Sequence, residues 1–319
     1  MRVVMLQVLS FSAWLALASG CGGGAVTTGD DRFAGSPTVA GCPVFPRDNP
    51  WNTDISGYPV HPNSAAFVAS IGVAGHLHPD WGGFYQGRPA GIPFVVVGAG
   101  QPKVPVAFDY AGESDPGPYP VPPDAPIEGG ADASGDRHVL VLDKDSRKLY
   151  ELFSAFPQPD GSWHAGSGAV FDLTSNGLRP AGWTSADAAG LPILPGLVRH
   201  DEVQAGEIRH ALRFTCQSTQ RGYIAPATHW ASASHDPNLP PMGLRVRLKA
   251  DYDISGFPPQ VQVILAALKH YGLILADNGG NWFITGAHDP GWDVADFDAL
   301  KGVPGSALEA VDTGPIVTG

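Results

Sequence analysis

Three acidic residues stand in surroundings that could give a carboxyl group catalytic properties. Asp187 lies in the segment GWTSADAAGLPILPGLVRHDE, residues 182–202, among Ala, Leu, Ile and Pro. Glu128 precedes two glycines in DAPIEGG, and Asp277 precedes the Asn-Gly turn of LADNGGNW. Apolar neighbours desolvate a carboxyl group and raise its pKa, which suits general acid catalysis. We predict Asp187 and Glu128 as the catalytic pair, with turn or helix capping as the alternative role of Asp187 and turn formation as that of Asp277.

Aromatic and basic residues in the same segments could hold a substrate. Aromatic faces stack on the C–H faces of sugars, and arginines form paired hydrogen bonds with polar groups. His229 lies in irregular chain, whereas His138 opens a strand and is expected to be a hydrogen-bonded histidine at the edge of the core. Core packing is the alternative role for each tryptophan. The predicted substrate-binding residues are Trp183, Arg179, Arg199, Asp277, Trp282 and His229.

Motifs of several enzyme classes are missing from the sequence. There is no Gly-x-Ser-x-Gly, no His-Glu-x-x-His and no Gly-x-x-x-x-Gly-Lys-Ser/Thr. His76, His78 and Asp80 form a half-match to a metal-binding His-x-His pattern, but the neighbouring proline and glycines favour a turn. We therefore predict neither a metal site nor a cofactor.

The N-terminus predicts an extracytoplasmic protein. A short basic start and an apolar run are followed by Ala-Ser-Gly-Cys, which resembles the lipobox of bacterial lipoproteins, so residues 1–21 are predicted to be a lipoprotein signal peptide and Cys21 the lipidated residue. An ordinary signal peptide is the alternative. Because Gly22 follows the cysteine rather than Asp, an outer membrane or cell surface is expected. Residues 22–41 read as a flexible tether and residues 42–319 as a single globular domain.

The amino-acid composition limits the classes of partner and the fold classes that fit the chain. The formal net charge is −12 without a basic cluster, which argues against nucleic acid and against anionic membrane surfaces beyond the predicted lipid anchor. Cys42 and Cys216 remain for one predicted disulfide, with two unpaired buried thiols as the alternative. Only 16% of residues are charged, and 41 glycines and 31 prolines indicate a loop-rich β protein.

The hydrophobic patterns predict many short strands and few helices. The stretch HVLVLDKDSRKLYELF predicts a hairpin, and Val261, Ile264, Leu265 and Leu268 repeat at helical spacing before Gly272. Short helices are expected at SAAFVASIG and DVADFDALKG. With no alternation of strands and helices, the expected fold is mainly β, an antiparallel β-sandwich or jelly roll with a few peripheral helices. Residues 182–202 should pack as a loop that buries its Leu and Ile side chains and presents Trp183, Asp187 and Arg199.

The order of motifs resembles a family of secreted bacterial proteins and lipoproteins of unassigned function. The resemblance rests on GWTSADAAGLPILPGLVR and ALKHYGLILADNGG and covers most of the chain from about Cys42. It implies an extracytoplasmic location and carries no catalytic residues. The residues themselves favour a surface-anchored carbohydrate-active protein, a polysaccharide hydrolase or lyase with carboxylates in a concave β-sandwich cleft. The alternative is a non-catalytic glycan- or peptidoglycan-binding envelope lipoprotein.

Overall fold

The computed structural model of the chain describes residues 30–319. The predicted signal peptide, the lipidation site Cys21 and the first part of the predicted tether lie outside the described residues, so these assignments remain predictions. Within residues 30–319, no helix is both long enough and apolar enough to cross a membrane.

The described chain is mainly β, as predicted. The helices are α1 (Ser64–Ile71), α2 (His200–Ala205), α3 (Pro259–His270) and α4 (Val294–Phe297). The strands are β1 (Thr38–Val39), β2 (Cys42–Pro43), β3 (His78–Asp80), β4 (Phe84–Tyr85), β5 (Arg88–Pro89), β6 (Phe94–Val97), β7 (Val106–Phe108), β8 (Val139–Asp143), β9 (Lys148–Phe153), β10 (Phe156–Pro157), β11 (Trp163–Ala165), β12 (Ser167–Asp172), β13 (Leu212–Cys216), β14 (Gly222–Tyr223), β15 (Arg245–Leu248), β16 (Leu273–Asn278), β17 (Phe283–Thr285), β18 (Leu308–Ala310) and β19 (Val317–Thr318).

Two sheets carry most of the structure. A six-stranded sheet has the order β18-β15-β16-β13-β17-β3, and a four-stranded sheet has the order β12-β9-β8-β6. Both sheets are mixed, because β13 runs parallel to β16, β17 to β3, and β6 to β8. The arrangement is consistent with the expected β-sandwich, although its sheets are mixed rather than antiparallel throughout. Hydrophobic spacing along a strand shows which face is buried and not in which direction its neighbour runs.

The four-stranded sheet is covered on both faces, which explains why strand β8 is apolar throughout. Alternate side chains of a strand point to opposite faces. Leu140 and Leu142 join the main core with the six-stranded sheet, while Val139 and Val141 join a second core. The second core lies against a three-stranded sheet of order β10-β11-β7. The predicted hairpin is confirmed: β8 and β9 pair antiparallel from Val139 with Leu152 to Asp143 with Lys148.

Two segments expected to be loops or tethers pack more tightly than predicted. Residues 30–41 are not a free tether: β1 pairs with β2, and Val39 is buried in the main core. In residues 182–202 the expected burial is confirmed for four apolar side chains, those of Leu191, Ile193, Leu194 and Leu197. The end of that segment forms the start of α2, where a loop is expected from the sequence.

The two cysteines of the globular part are free and lie in different surroundings. The Cys42 thiol is near the carbonyl oxygen of Pro43 (3.7 Å), and the Cys216 thiol donates to the carbonyl oxygen of Ser218 (3.4 Å). The predicted disulfide between them is therefore absent from the structure, and the alternative of two buried thiols describes it. Burial raises the pKa of both thiols, that of Cys216 to about 12, which makes them unreactive at neutral pH.

Gly272 lies in the turn between helix α3 and strand β16. Its φ of 67° lies in the left-handed region, and its N–H donates to the carbonyl oxygen of Ala267 (3.0 Å), as expected of a glycine that stops a helix. A Cβ atom at this position would lie 2.3 Å from the carbonyl oxygen of Val246. The turn therefore needs glycine for its conformation and for the space beside β15.

Gly272→Ala should lower the free energy of unfolding by about 1–3 kcal/mol, because the left-handed conformation and the short contact both act against alanine. Urea unfolding of the two proteins measures the difference. Gly256→Ala is the matched control, since a Cβ there meets no atom within 4 Å and its φ is not positive. Equal stability of Gly272→Ala and the unmodified protein would show that the turn relaxes freely.

Candidate functional site

A deep cleft opens beside the outer strand of the six-stranded sheet. It has a volume of about 950 Å³ and is bounded by β3, the β4–β5 hairpin, the loop around Glu128 and the α4 region. Aromatic side chains form much of its wall: Trp81, Phe84, Tyr85, Phe283 and Phe297. Phe84 and Tyr85 are 65% and 69% exposed, so the hairpin presents two rings to solvent at the cleft.

Three carboxyl groups line this cleft, those of Asp80, Glu128 and Asp298. Asp298 is paired with Lys301 (2.6 Å), which leaves Asp80 and Glu128 as the two cleft acids that no lysine or arginine of residues 30–319 pairs with. Asp80 ends β3 and is held in register by the parallel pairing of β3 with β17, where it lies opposite Thr285. Glu128 is fixed by its own backbone N–H, which donates to the carbonyl oxygen of His138 (3.0 Å). The Glu128 side chain is 27% exposed. Both acids can therefore meet a molecule in the cleft.

His138 lies directly behind Glu128 and is fully enclosed by protein. Its Nδ1 lies 2.6 Å from Oε2 of Glu128, and its Nε2 lies 3.0 Å from the carbonyl oxygen of Ala186. An ionised carboxylate and a carbonyl can only accept hydrogen bonds. Both ring nitrogens must then donate, so the geometry calls for a protonated imidazolium.

The surroundings of Asp80 and Glu128 shift the pKa values of these two cleft acids in opposite directions. Burial alone would lower the pKa of His138, but the Glu128 carboxylate outweighs it and raises that pKa to about 9. In return, although burial favours the neutral acid, His138 lowers the pKa of Glu128 below its ordinary value. Desolvation and the charge of Glu128 raise the pKa of Asp80, which is accessible from the cleft but has no such cation against it.

An ion pair deeper in the protein supports this arrangement. Arg213, on the central strand β13, places Nε 3.2 Å and Nη2 3.1 Å from Oδ2 of Asp187. Its Nη1 donates to the hydroxyl of Thr285 (2.8 Å), the residue paired with Asp80 across the sheet. Arg213 thus joins the 182–202 segment to the strand that carries the cleft acid.

Asp187 is a buried partner of Arg213 rather than a group at the surface of the cleft. Its side chain is 0% exposed, and its Oδ1 has no hydrogen-bond partner. Burial raises the pKa of Asp187 to about 7 against the attraction of Arg213, and the charge of Asp277 adds to the increase. The predicted catalytic role of Asp187 does not fit this position, because no substrate atom can reach its carboxyl group.

A third buried acid, Glu151, anchors the middle of the 182–202 segment. Its Oε1 accepts from the backbone N–H groups of Ile193 (3.0 Å) and Leu194 (2.9 Å), and its Oε2 from that of Ile193 (2.8 Å). Burial raises the pKa of Glu151 to about 7 in spite of these donors. Glu151 therefore fastens the loop through its backbone and remains near its point of titration at neutral pH.

Asp277 belongs to the same charged region but is placed by a strand irregularity. It lies opposite Thr215 in the parallel pairing of β16 with β13, directly after a shift in register between Phe214 and Thr215. Its Oδ1 accepts from the N–H of Asn278 (2.7 Å), but Asp277 lies within β16, and β13 separates β16 from β17, so the predicted role in a hairpin turn is wrong. Burial raises the pKa of Asp277, with Arg213 opposing it.

The remaining predicted binding residues are dispersed. Arg179 is clamped by Asp115 and by the carbonyl oxygen of Glu113 (2.8 Å), with the Trp183 ring 5.6 Å from its guanidinium carbon. Arg199 is buried beside Glu202 (2.6 Å). None of these residues lines the cleft with Glu128, so the expectation that Trp183, Arg179 and Arg199 surround it is wrong.

Two further predicted contacts also lie elsewhere. Trp282 is fully buried, stacked on Phe214, and donates from Nε1 to the carbonyl oxygen of Gly72 (2.8 Å), which is the core role given as its alternative. His229 has Nδ1 2.8 Å from the carbonyl oxygen of Ala188 and stacks beside Trp230. Neither residue contributes to the cleft.

Sequence reasoning missed four residues of the site as functional groups: Asp80, His138, Glu151 and Arg213. Glu151 in LYELF and Arg213 in ALRF each place one charge inside an apolar strand, which signals a buried, partnered ion. The sequence places Asp80 only in a half-match to a metal-binding pattern. In the structure His78 stacks on Phe283 (3.9 Å), and residues 30–319 contain no group of three or more His, Cys, Asp or Glu side chains that could hold a metal ion.

Asp187→Asn should reduce the fall in the free energy of unfolding that the unmodified protein shows as the pH rises. Its folded pKa of about 7 lies above the ordinary value of 3.8, so its stabilising contribution is complete below pH 4 and is lost as the pH rises through 7. At about 1.4 kcal/mol per pKa unit, the loss is on the order of 4 kcal/mol. Urea unfolding between pH 4.5 and 7.5 should show a smaller fall for Asp187→Asn than for the unmodified protein.

The exposed Asp124 provides the matched control for that comparison. Asp124→Asn removes the same carboxyl group from the surface and should leave the pH profile parallel to that of the unmodified protein. Parallel profiles for Asp187→Asn as well would contradict a titrating Asp187.

Comparison with known proteins assigns no relative to this site, because no protein-family model, no curated protein and no solved structure matches the chain. The function must therefore be argued from the geometry of the cleft.

Proposed function

We propose that the protein is a carbohydrate-active enzyme that cleaves polysaccharide in the cleft of Asp80 and Glu128. The observation that carries the proposal is the pair of cleft carboxyl groups whose pKa values are shifted in opposite directions, Asp80 upward and Glu128 downward. Such a divergence separates an acid from a base within one site. It is the requirement for cleaving a glycosidic bond with two carboxyl groups.

The proposed roles follow from the opposite directions of the two pKa shifts. Asp80, protonated, gives its proton to the glycosidic oxygen as the bond to the anomeric carbon breaks. Glu128, ionised, acts on the opposite side, either by taking a proton from the attacking water or by bonding to the anomeric carbon. His138 is a positioning residue, because it does not line the cleft but holds Glu128 ionised and in place (2.6 Å).

The aromatic wall supports a sugar as the substrate. The C–H faces of sugar rings pack on aromatic faces, and Phe84 and Tyr85 stand exposed on a hairpin beside the two acids. Exposed aromatic side chains in a short, polar-flanked hairpin contribute little to the core. Their position therefore favours binding over folding.

Removal of the proposed base should abolish turnover without unfolding the protein. In Glu128→Gln the amide can donate to Nδ1 of a neutral His138, so the hydrogen bond persists while the carboxylate is lost. The protein lacking residues 1–29, which keeps β1 and the buried Val39, is first screened on polysaccharides for new reducing ends. On the active substrate, kcat should fall by about 10²–10⁴-fold, with the melting temperature nearly unchanged.

The same assay tests Asp80 as the acid. Asp80→Asn should lose activity on the polysaccharide but keep it on an aryl glycoside of the same sugar, whose leaving group needs no proton. The alkaline limb of the pH profile, set by the raised pKa of Asp80, should disappear with that substrate. Asp124→Asn is the control and should remain active. Full activity of Glu128→Gln would reject the catalytic assignment.

Loss of one exposed aromatic ring of the cleft should weaken substrate binding and leave the rate of bond cleavage nearly unchanged. Tyr85→Ala is expected to raise KM by up to about tenfold with kcat little changed, because stacking contributes about 0.5–1.5 kcal/mol. Tyr110→Ala removes an equally exposed ring (59%) outside the cleft and should leave KM unchanged. A kcat effect without a KM effect would contradict a binding role for Tyr85.

A non-catalytic glycan-binding protein is the second candidate, favoured by the same exposed pair of rings. It predicts that polysaccharide binds without any new reducing end. It also predicts that Glu128→Gln binds as well as the unmodified protein, while Tyr85→Ala binds less tightly. The reducing-end assay and a binding titration on one preparation separate the two functions.

A further inference from the structure

A second cavity lies on the other side of the molecule from the cleft and contains a buried cation. It has a volume of about 210 Å³ and is lined by residues that include Thr53, Tyr58, Arg245 and Thr313. Arg245 belongs to β15, which is separated from β3 by three strands of the six-stranded sheet. We propose that this cavity binds a small hydroxylated carboxylate, with the Arg245 guanidinium as its counter-charge.

The hydrogen bonds of Arg245 leave part of its guanidinium uncommitted. Nε donates to the carbonyl oxygen of Tyr271 (2.7 Å), Nη1 to that of Pro50 (2.7 Å) and Nη2 to that of Thr53 (3.4 Å). A guanidinium carries five N–H groups, so two remain for another acceptor. The side chain is only 3% exposed, and bulk water therefore cannot solvate the charge fully.

No carboxylate of residues 30–319 forms an ion pair with Arg245, unlike most buried arginines of the protein. Arg213 faces Asp187, Arg199 faces Glu202, and Arg179 faces Asp115. Arg137 also binds only carbonyl oxygens, but the Phe156 ring covers its guanidinium at 4.2 Å. Arg245 instead borders open space.

A buried charge without a partner is unfavourable, and an anion in the adjoining space relieves it. The flat fork of a guanidinium matches the two oxygens of a carboxylate. Burial lowers the pKa of Arg245 to about 9, so the group is still charged at neutral pH, when such a ligand is ionised.

The other groups that line the cavity favour a small hydroxy acid as the ligand. Tyr58 supplies a hydroxyl group, and the buried Oγ1 of Thr313 has no hydrogen-bond partner. Asp48 also lines the cavity, with Oδ1 accepting from the amide of Asn176 (3.0 Å). Its negative charge disfavours a dianion, so a monovalent carboxylate fits better than phosphate. The cavity volume leaves room for a ligand of a few heavy atoms.

Calorimetric titration with glycolate at constant ionic strength tests the site. We expect one saturable site per chain with a dissociation constant of roughly 1–10 mM. Glycolamide, the neutral analogue of the same shape, should not bind. Arg245→Lys keeps the charge but loses the fork, and should weaken glycolate binding at least tenfold, whereas the exposed Arg209→Lys should bind as the unmodified protein does.

If Arg245→Lys does not fold, Tyr58→Phe is the second variant that tests the site. Because Tyr58 is 38% exposed, this substitution should not disturb folding. Loss of its hydrogen bond should weaken glycolate binding by about 2- to 12-fold. No binding of glycolate, equal binding of glycolamide, or tighter binding of phosphate would each overturn the proposal. Glu128→Gln should bind glycolate normally, so the outcome is independent of the function proposed for the cleft.

Discussion

The buried pair of Arg213 and Asp187 is the contact on which the rest of the site depends. Arg213 lies on a central strand, and its guanidinium reaches both the 182–202 segment and Thr285 on β17. Arg213 is only 4% exposed, and its hydrogen bonds to Asp187 and Thr285 connect the irregular segment to the sheet. Residues 182–202 are therefore packed core, fastened at Asp187 by charge and at Ile193 and Leu194 by Glu151.

Charge balance around Arg213 then determines the state of the cleft. The acids in this region outnumber the cations: Asp80, Glu128, Glu151, Asp187 and Asp277 face only Arg213 and His138. Since all five acids cannot ionise together at low cost, protons remain on some of them. The acid in contact with the imidazolium loses its proton first. That acid is Glu128, and its negative charge helps to raise the pKa of Asp80.

The sequence predicted the character of the fold and one residue of the cleft. Strand β8, helix α3 and Gly272 followed from spacing because their neighbours lie close in sequence. Periodicity does not predict contacts between residues that are distant in the sequence. The parallel strand pairings are of this kind, and so are the contacts of Glu128 with His138 and of Arg213 with Asp187. Asp187 looked catalytic because its neighbours are apolar, yet the same apolar neighbours bury it completely. Apolar neighbours indicate a functional acid only when the carboxyl group can still be reached from solvent, and the carboxyl group of Glu128 can be reached from the cleft.

The 182–202 segment reaches the cleft through its backbone rather than its carboxyl group. The carbonyl oxygen of Ala186 accepts from Nε2 of His138 and so fixes the ring that holds Glu128. Arg213 fixes the next residue along, Asp187. A shift of this segment would therefore move the imidazolium and with it the carboxylate in the cleft. The apolar prolines and leucines that make the segment unusual for a loop are what keep that carbonyl in place, so the packing of the core sets the ionisation of the cleft.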